Sequence, residues 1–115
     1  MSAVDLTKKK CVPCRGGIPP LDPEEARQLL AATPGWEMFH GGKRIRRTYS
    51  FAGFPAAIEF VGRIAQLAEE EGHHPDFEIT GRDVTVVLYT HVLDDLHEND
   101  FIVAAKVNEI GAGPR

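Results

Sequence analysis

The chain has 115 residues, of which 43% are hydrophobic and 26% charged, and its 13 Lys+Arg against 17 Asp+Glu give a formal net charge of −4. That length fits one domain with a modest core. The acidic balance argues against a nucleic-acid backbone as partner, because neutralising phosphates needs a basic face. No stretch approaches the roughly 20 apolar residues of a membrane helix. The polar residues 1–10 lead into no apolar segment of signal-peptide type, so a cytoplasmic protein is expected.

Residues 1–20 read as a flexible tail, because Pro13, Gly16, Gly17, Pro19 and Pro20 interrupt any regular element. Residues 21–111 form the expected domain. Asp22-Pro23-Glu24-Glu25 predicts a helix start, with Asp22 as cap, proline at the first helical position and two glutamates complementing the helix dipole. Pro34-Gly35 stops that helix near Thr33. Strands over 36–39 and 45–51 flank the Gly41-Gly42 turn and make a hairpin. The basic run Lys43-Arg44-Ile45-Arg46-Arg47 suits a strand bearing solvated charges. Phe54-Pro55 opens the longest helix. Ile58, Val61, Ile64, Ala65 and Ala68 recur at helical spacing, while Phe60 and Leu67 add a second apolar face suited to a partner subunit. Gly72 terminates it. Strands over 77–80 and 84–91 flank Gly81-Arg82-Asp83, a loop covers 93–96, and His97 or Asn99 caps a last helix ending near Ile110. The order α-β-β-α-β-β-α predicts an α+β fold, a four-stranded antiparallel sheet with three helices on one face.

The chemistry-bearing residues are histidines. His73 and His74 leave the long helix side by side, so their side chains diverge, and His91 closes a strand. If that strand packs beneath the helix, all three line one cleft. Histidine titrates near neutrality, so one imidazole can be a neutral base while a neighbour is a cationic acid. That pairing suits elimination of water, in which one proton leaves and the hydroxyl is protonated. Glu69, four residues before His73, is placed to orient that imidazole, and Asp100 on the first turn of the last helix to orient another. Taken singly, a His-His pair at a helix end is often a polar cap and a glutamate run a solvated face; His40 and His97 read as surface residues. Cys11-x2-Cys14 has half the spacing of a zinc site, but no second cysteine pair closes it, and no metal is expected. Phosphate loops, dinucleotide fingerprints and nucleophile elbows have no counterpart.

The run of Glu69, His73-His74-Pro75, Thr90-His91 and Asp100, with Glu98-Asn99-Asp100-Phe101-Ile102 and Ala104-Ala105-Lys106 in the last helix, resembles the pterin-4a-carbinolamine dehydratase family. The tail, Lys10-Cys11-Val12-Pro13-Cys14 with Gly16-Gly17, is similar to microbial members. The resemblance implies a hydro-lyase that dehydrates 4a-hydroxytetrahydrobiopterin to quinonoid dihydropterin, so that tetrahydrobiopterin is recycled, with no metal or organic cofactor. It implies His73, His74 and His91 as catalytic groups, Glu69 and Asp100 as support, and Pro75, Phe77 and Thr90 as substrate-binding residues. Homodimers and homotetramers are its expected assemblies. The alternative on the same fold is a non-enzymatic oligomeric partner, such as a RuBisCO assembly factor or a transcriptional dimerisation cofactor. Two departures from the family pattern stand out. Gly81 occupies an expected aromatic position, with Phe77 as the neighbouring ring. Asp94-Asp95-Leu96 replaces Gly-Gly-Leu, which brings two carboxylates near the cleft, where they would raise histidine pKa values or alter its shape.

Overall fold

In the computed structural model, which describes residues 5–12 and 19–111, the first helix begins where Asp22 can cap it. Asp22 Oδ1 accepts from the N–H groups of Glu24 and Glu25 at 2.8 and 3.3 Å, and α1 spans Pro23–Ala31. There follow β1 (Glu37–Phe39), β2 (Arg44–Ser50), α2 (Phe54–Glu71), β3 (Asp76–Thr80), β4 (Asp83–Leu88) and α3 (Glu98–Gly111). The strands form one antiparallel sheet in the order β1-β2-β4-β3, with the three helices on one face. The α+β order predicted from the sequence is the observed one.

Period-two alternation decides which face the helices cover. The register pairs Ile45 with Leu88 and Tyr49 with Val84, so Ile45, Tyr49, Val84, Val86 and Leu88 are buried together. The opposite face carries Arg46, Thr48 and Thr85, where the two threonine hydroxyls meet across the strands at 2.8 Å. Arg47 departs from the expected solvated charge. It lies on the helix-covered face, and its guanidinium donates to Pro34 O and Asn108 Oδ1 at 3.0 and 2.8 Å.

The inward face of α2 is also shifted from the expected stripe. Ala57, Phe60, Ile64 and Ala68 are buried, while Ile58 is exposed and Phe60 anchors the helix against Tyr49 and Phe51, ring centroids 4.7 and 4.8 Å away. Both stripes have helical spacing, so periodicity alone leaves the choice open; the aromatic pair supplies the larger buried area. Phe54 and Ile58, one turn apart, remain exposed on the outer side.

Residues 5–12 depart from the tail expected over 1–20. A 3-10 turn, Leu6–Lys8, buries Leu6. Lys9 pairs with Glu98 at 2.7 Å, the Cys11 N–H donates to Glu71 Oε1 at 2.9 Å, and the Asn99 amide bonds both the N–H and the C=O of Val12 at 3.1 and 2.7 Å. An apolar anchor and side chains that satisfy its backbone thus hold this segment against α3. Cys14 lies outside the described residues. The half-buried Cys11 thiol is pushed up to about 12, first by burial and then by the Glu71 charge, so it stays protonated at neutral pH.

Asn108 closes the other end of the fold. Its Oδ1 accepts from Trp36 Nε1, Arg47 and Tyr49 OH at 2.8, 2.8 and 2.7 Å, and its Nδ2 donates to Pro34 O at 2.9 Å. Asn108→Ala should therefore lower the urea midpoint by an amount equivalent to about 2–4 kcal/mol with an unchanged m-value, because the Trp36 and Tyr49 donors lose their acceptor. A pH-dependent prediction comes from Glu71. Burial pushes its carboxyl up, but the Cys11 N–H and Lys106 outweigh burial and hold it below the ordinary value of 4.5. A depressed carboxyl stabilises the fold above the unfolded pKa and loses that contribution as pH falls through the folded one. Stability measured by denaturant titration between about pH 5 and pH 3 should fall less steeply in Glu71→Gln than in the wild type, with about 1–2 kcal/mol already lost at neutral pH.

Candidate functional site

The cleft is built where α2 stops. Gly72 takes the left-handed conformation, φ 66°, and its N–H and that of His73 both return to Ala68 O. A Cβ would meet nothing there, so glycine serves the backbone angle rather than close packing. The reversal carries His73 away from its own helix and against α3. There His73 Nε2 lies 2.6 Å from Oδ1 of Asp100, a residue with no exposed surface.

Asp100 gathers two more donors. Its Oδ2 accepts from Thr90 Oγ1 at 2.9 Å and from the His97 N–H at 3.0 Å. In return, His97 Nδ1 accepts from the Asn99 N–H at 3.1 Å. His97 and Asp100 thus cap α3 reciprocally, in the manner of a capping box with histidine in the cap position. Of the two caps read from the sequence, His97 holds the position, and it is not the unattached surface residue expected. An ionised carboxylate only accepts, so His73 donates from Nε2–H, which in the neutral ring leaves Nδ1 as the lone-pair nitrogen.

Glu69 serves a different histidine from the one expected. Its Oε1 lies 2.9 Å from Nε2 of His74, both side chains being exposed. The four-residue spacing to His73 would matter only if the helix continued; the Gly72 reversal removes His73 and brings His74 back over the last turn. His91 also differs from its expected setting, because β4 ends at Leu88. Thr90 makes an isolated bridge with Asp95, Thr90 N–H donating to Asp95 O at 2.9 Å, and His91 starts the turn that this bridge closes. Its Nε2 is 3.6 Å from Asp76 Oδ1, and its ring lies against Tyr89 with centroids 4.5 Å apart.

His73, His74 and His91 nonetheless line one cleft of about 190 Å³, together with Val12, Gly72, Tyr89, Thr90, Val92 and Asn99. Thr90 is the one expected substrate-binding residue in that lining. Pro75 lies outside it, and half-buried Phe77 packs against the core from β3, opposite Val86. Sequence reading missed Tyr89, Val92, Asn99 and Val12. Tyr89 and Val92, next to Thr90-His91, and Asn99, next to Asp100, carried a signal by proximity; Val12 arrives through the packing of residues 5–12. Among the described residues no three His, Cys, Asp or Glu side chains are gathered as a metal site.

The two departures from the family pattern lie away from the cleft lining. Gly81 has φ 61° in the β3–β4 turn, where any side chain would be strained. Asp94, φ 51°, donates nothing to the cleft: its Oδ1 takes the Arg44 guanidinium at 2.6 Å, and that hydrogen bond and charge hold its carboxyl below the usual range. Asp95 Oδ1 accepts from the N–H of Leu96 at 2.7 Å. Neither carboxylate lines the cleft; both are engaged elsewhere in the loop and at the start of β2.

The chain matches the family model described as pterin 4 alpha carbinolamine dehydratase over residues 19–110. It is 47% identical to the "Putative pterin-4-alpha-carbinolamine dehydratase" of Methylococcus capsulatus, over 97% of this chain and 98% of that one. A protein of the same name from an Azoarcus strain is also 47% identical, over 92% and 91%. Among solved structures, a transcriptional coactivator/pterin dehydratase from Brucella melitensis superposes with a TM-score of 0.77 at 32% identity, covering 82% of this chain and all of that one. A pterin dehydratase-like protein identified as a RuBisCO assembly factor in the alpha-carboxysome shares the fold, with a TM-score of 0.60 at 21% identity over 70% and 93%. With the match running over residues 19–110, which take in the whole cleft lining except Val12, the chain belongs to the pterin 4 alpha carbinolamine dehydratase family.

Proposed function

We propose that this protein is a hydro-lyase that eliminates water from a 4a-hydroxytetrahydropterin. The observation that carries the reading is the convergence of His73, His74 and His91 on one cleft, with the buried Asp100 carboxylate behind His73. In the reaction an imidazolium gives its proton to the 4a-hydroxyl and the C–O bond breaks with its electron pair leaving on oxygen. A neutral imidazole takes a proton from a ring nitrogen, whose electrons close the new C=N bond. The products are water and quinonoid dihydropterin, and no electrons are gained or lost overall.

The three histidines divide by environment. His73, one-tenth exposed and tied to Asp100, has a fixed tautomer whose free nitrogen is Nδ1, which suits proton exchange at a defined point. His74 and His91 are about half exposed and reach solvent protons directly. Glu69 orients His74, and Thr90 holds Asp100 in place. The exposed Phe54 and Ile58 on α2 support a homodimer or homotetramer, since one turn separates them on a face left open.

Purified protein should accelerate the dehydration of 4a-hydroxytetrahydropterin at neutral pH, followed by the absorbance of the quinonoid product. His73→Ala and His74→Ala should each lose most of that acceleration, by about 100-fold or more in kcat/KM, as expected for removal of a positioned acid or base. Wild-type protein that leaves the uncatalysed rate unchanged rejects the reading in favour of a non-enzymatic partner on the same scaffold.

A further inference from the structure

Arg44, Tyr89 and Asp94 have no part in the chemistry above, yet they stand in line behind His91. The pairing of Ile45 with Leu88 sets Arg44, which opens β2, beside Tyr89, which follows β4. The guanidinium carbon of Arg44 lies over the Tyr89 ring, 3.6 Å from its centroid. The Tyr89 ring in turn meets the His91 ring at 4.5 Å with an interplanar angle of 59°. Arg44 is itself anchored. Its guanidinium donates to Asp94 Oδ1 at 2.6 Å and to Lys43 O at 3.3 Å, and its side chain is only 14% exposed. Asp94 reaches Arg44 from a left-handed backbone position, φ 51°, that an aspartate tolerates better than most residues.

His91, by contrast, sits in a turn with half its side chain in solvent, and Asp76, its polar partner, stands at 3.6 Å, too far for a hydrogen bond. Ring contact with Tyr89 is therefore a close restraint on its imidazole beside the looser Asp76 pair. We propose that Tyr89, clamped by Arg44 and Asp94, is a positioning residue that sets the orientation of the His91 imidazole at the cleft. A planar cation on a ring face is directional, and the fork of Arg44 binds ring and carboxylate together, which a lysine ammonium would not reproduce. The inference rests on the reading of His91 as an acid-base group.

Two measurements test it. In NMR spectra of the wild type, the His91 ring protons should show a ring-current displacement from Tyr89. Arg44→Gln and, independently, Asp94→Ala leave the tyrosine chemically intact, so loss of at least half of that displacement reports a loosened clamp. In turnover assays with 4a-hydroxytetrahydropterin, Tyr89→Leu should lower kcat about tenfold while KM stays within about twofold, and Tyr89→Phe should recover most of the loss. Unchanged His91 shifts in both clamp variants, or a Tyr89→Leu enzyme with wild-type kcat, overturns the proposal. The NMR measurement needs no turnover, so an inactive wild type counts against dehydration while the chemical shifts still decide the clamp.

Discussion

The carboxylate of Asp100 is the constraint on which the cleft depends. A charge with no exposed surface is costly unless every lone pair direction that matters is met. Here the donors come from three separate places in the chain: His73 just past α2, Thr90 just past β4, and the His97 N–H at the start of α3. The carboxylate also sits in the first turn of α3, where the helix dipole favours negative charge. Those four contributions are in place together only when helix, strand and loop have reached their native positions. The native packing of these elements thus also assembles the polar wall behind His73. A histidine held this way is oriented before any ligand arrives, which is what positioned proton transfer requires.

The same logic extends along α3. This helix is buried on most sides, and four of its polar side chains are matched by partners drawn from separate parts of the chain. Asn99 satisfies the backbone of Val12, Asp100 the exits of α2 and β4, Lys106 the Glu71 carboxylate at the end of α2, and Asn108 the Trp36, Arg47 and Tyr49 cluster. A helix with apolar residues all round would pack as well but would not select one rotation or one axial position. The polar side chains do, because a slip of one residue would leave several buried donors without acceptors.

Reading the sequence recovered what depends on local chemistry. Asp22 with Pro23, the Gly41-Gly42 turn and the Gly72 stop are signals carried by single residues, and α1, the first hairpin and the end of α2 followed from them. The three histidines were legible as a set because residue type and order survive whatever the backbone does between them. What was not legible depends on directions set by tertiary contacts. The assignment of Glu69 to His73 assumed helical spacing across a residue with φ 66°. The face of α2 that turns inward was decided by Phe60 meeting Tyr49 and Phe51, a contact between elements that periodicity does not encode. Residues 5–12 read as tail because their anchors, Glu71, Glu98 and Asn99, lie far along the chain.

Asp94 shows why a change of residue type near a site has to be judged by its backbone. A carboxylate one turn from His91 suggests, on sequence, a negative charge facing the imidazoles. From its left-handed position it meets the start of β2, where Arg44 neutralises it. A glycine would meet the backbone requirement with less strain but would bring no side chain to Arg44, and the guanidinium would then lose the partner that keeps it over Tyr89. The strain at φ 51° is modest for aspartate, and a charge-assisted hydrogen bond of 2.6 Å opposes it. Asp94 thus ties the loop that carries His91 to the start of β2.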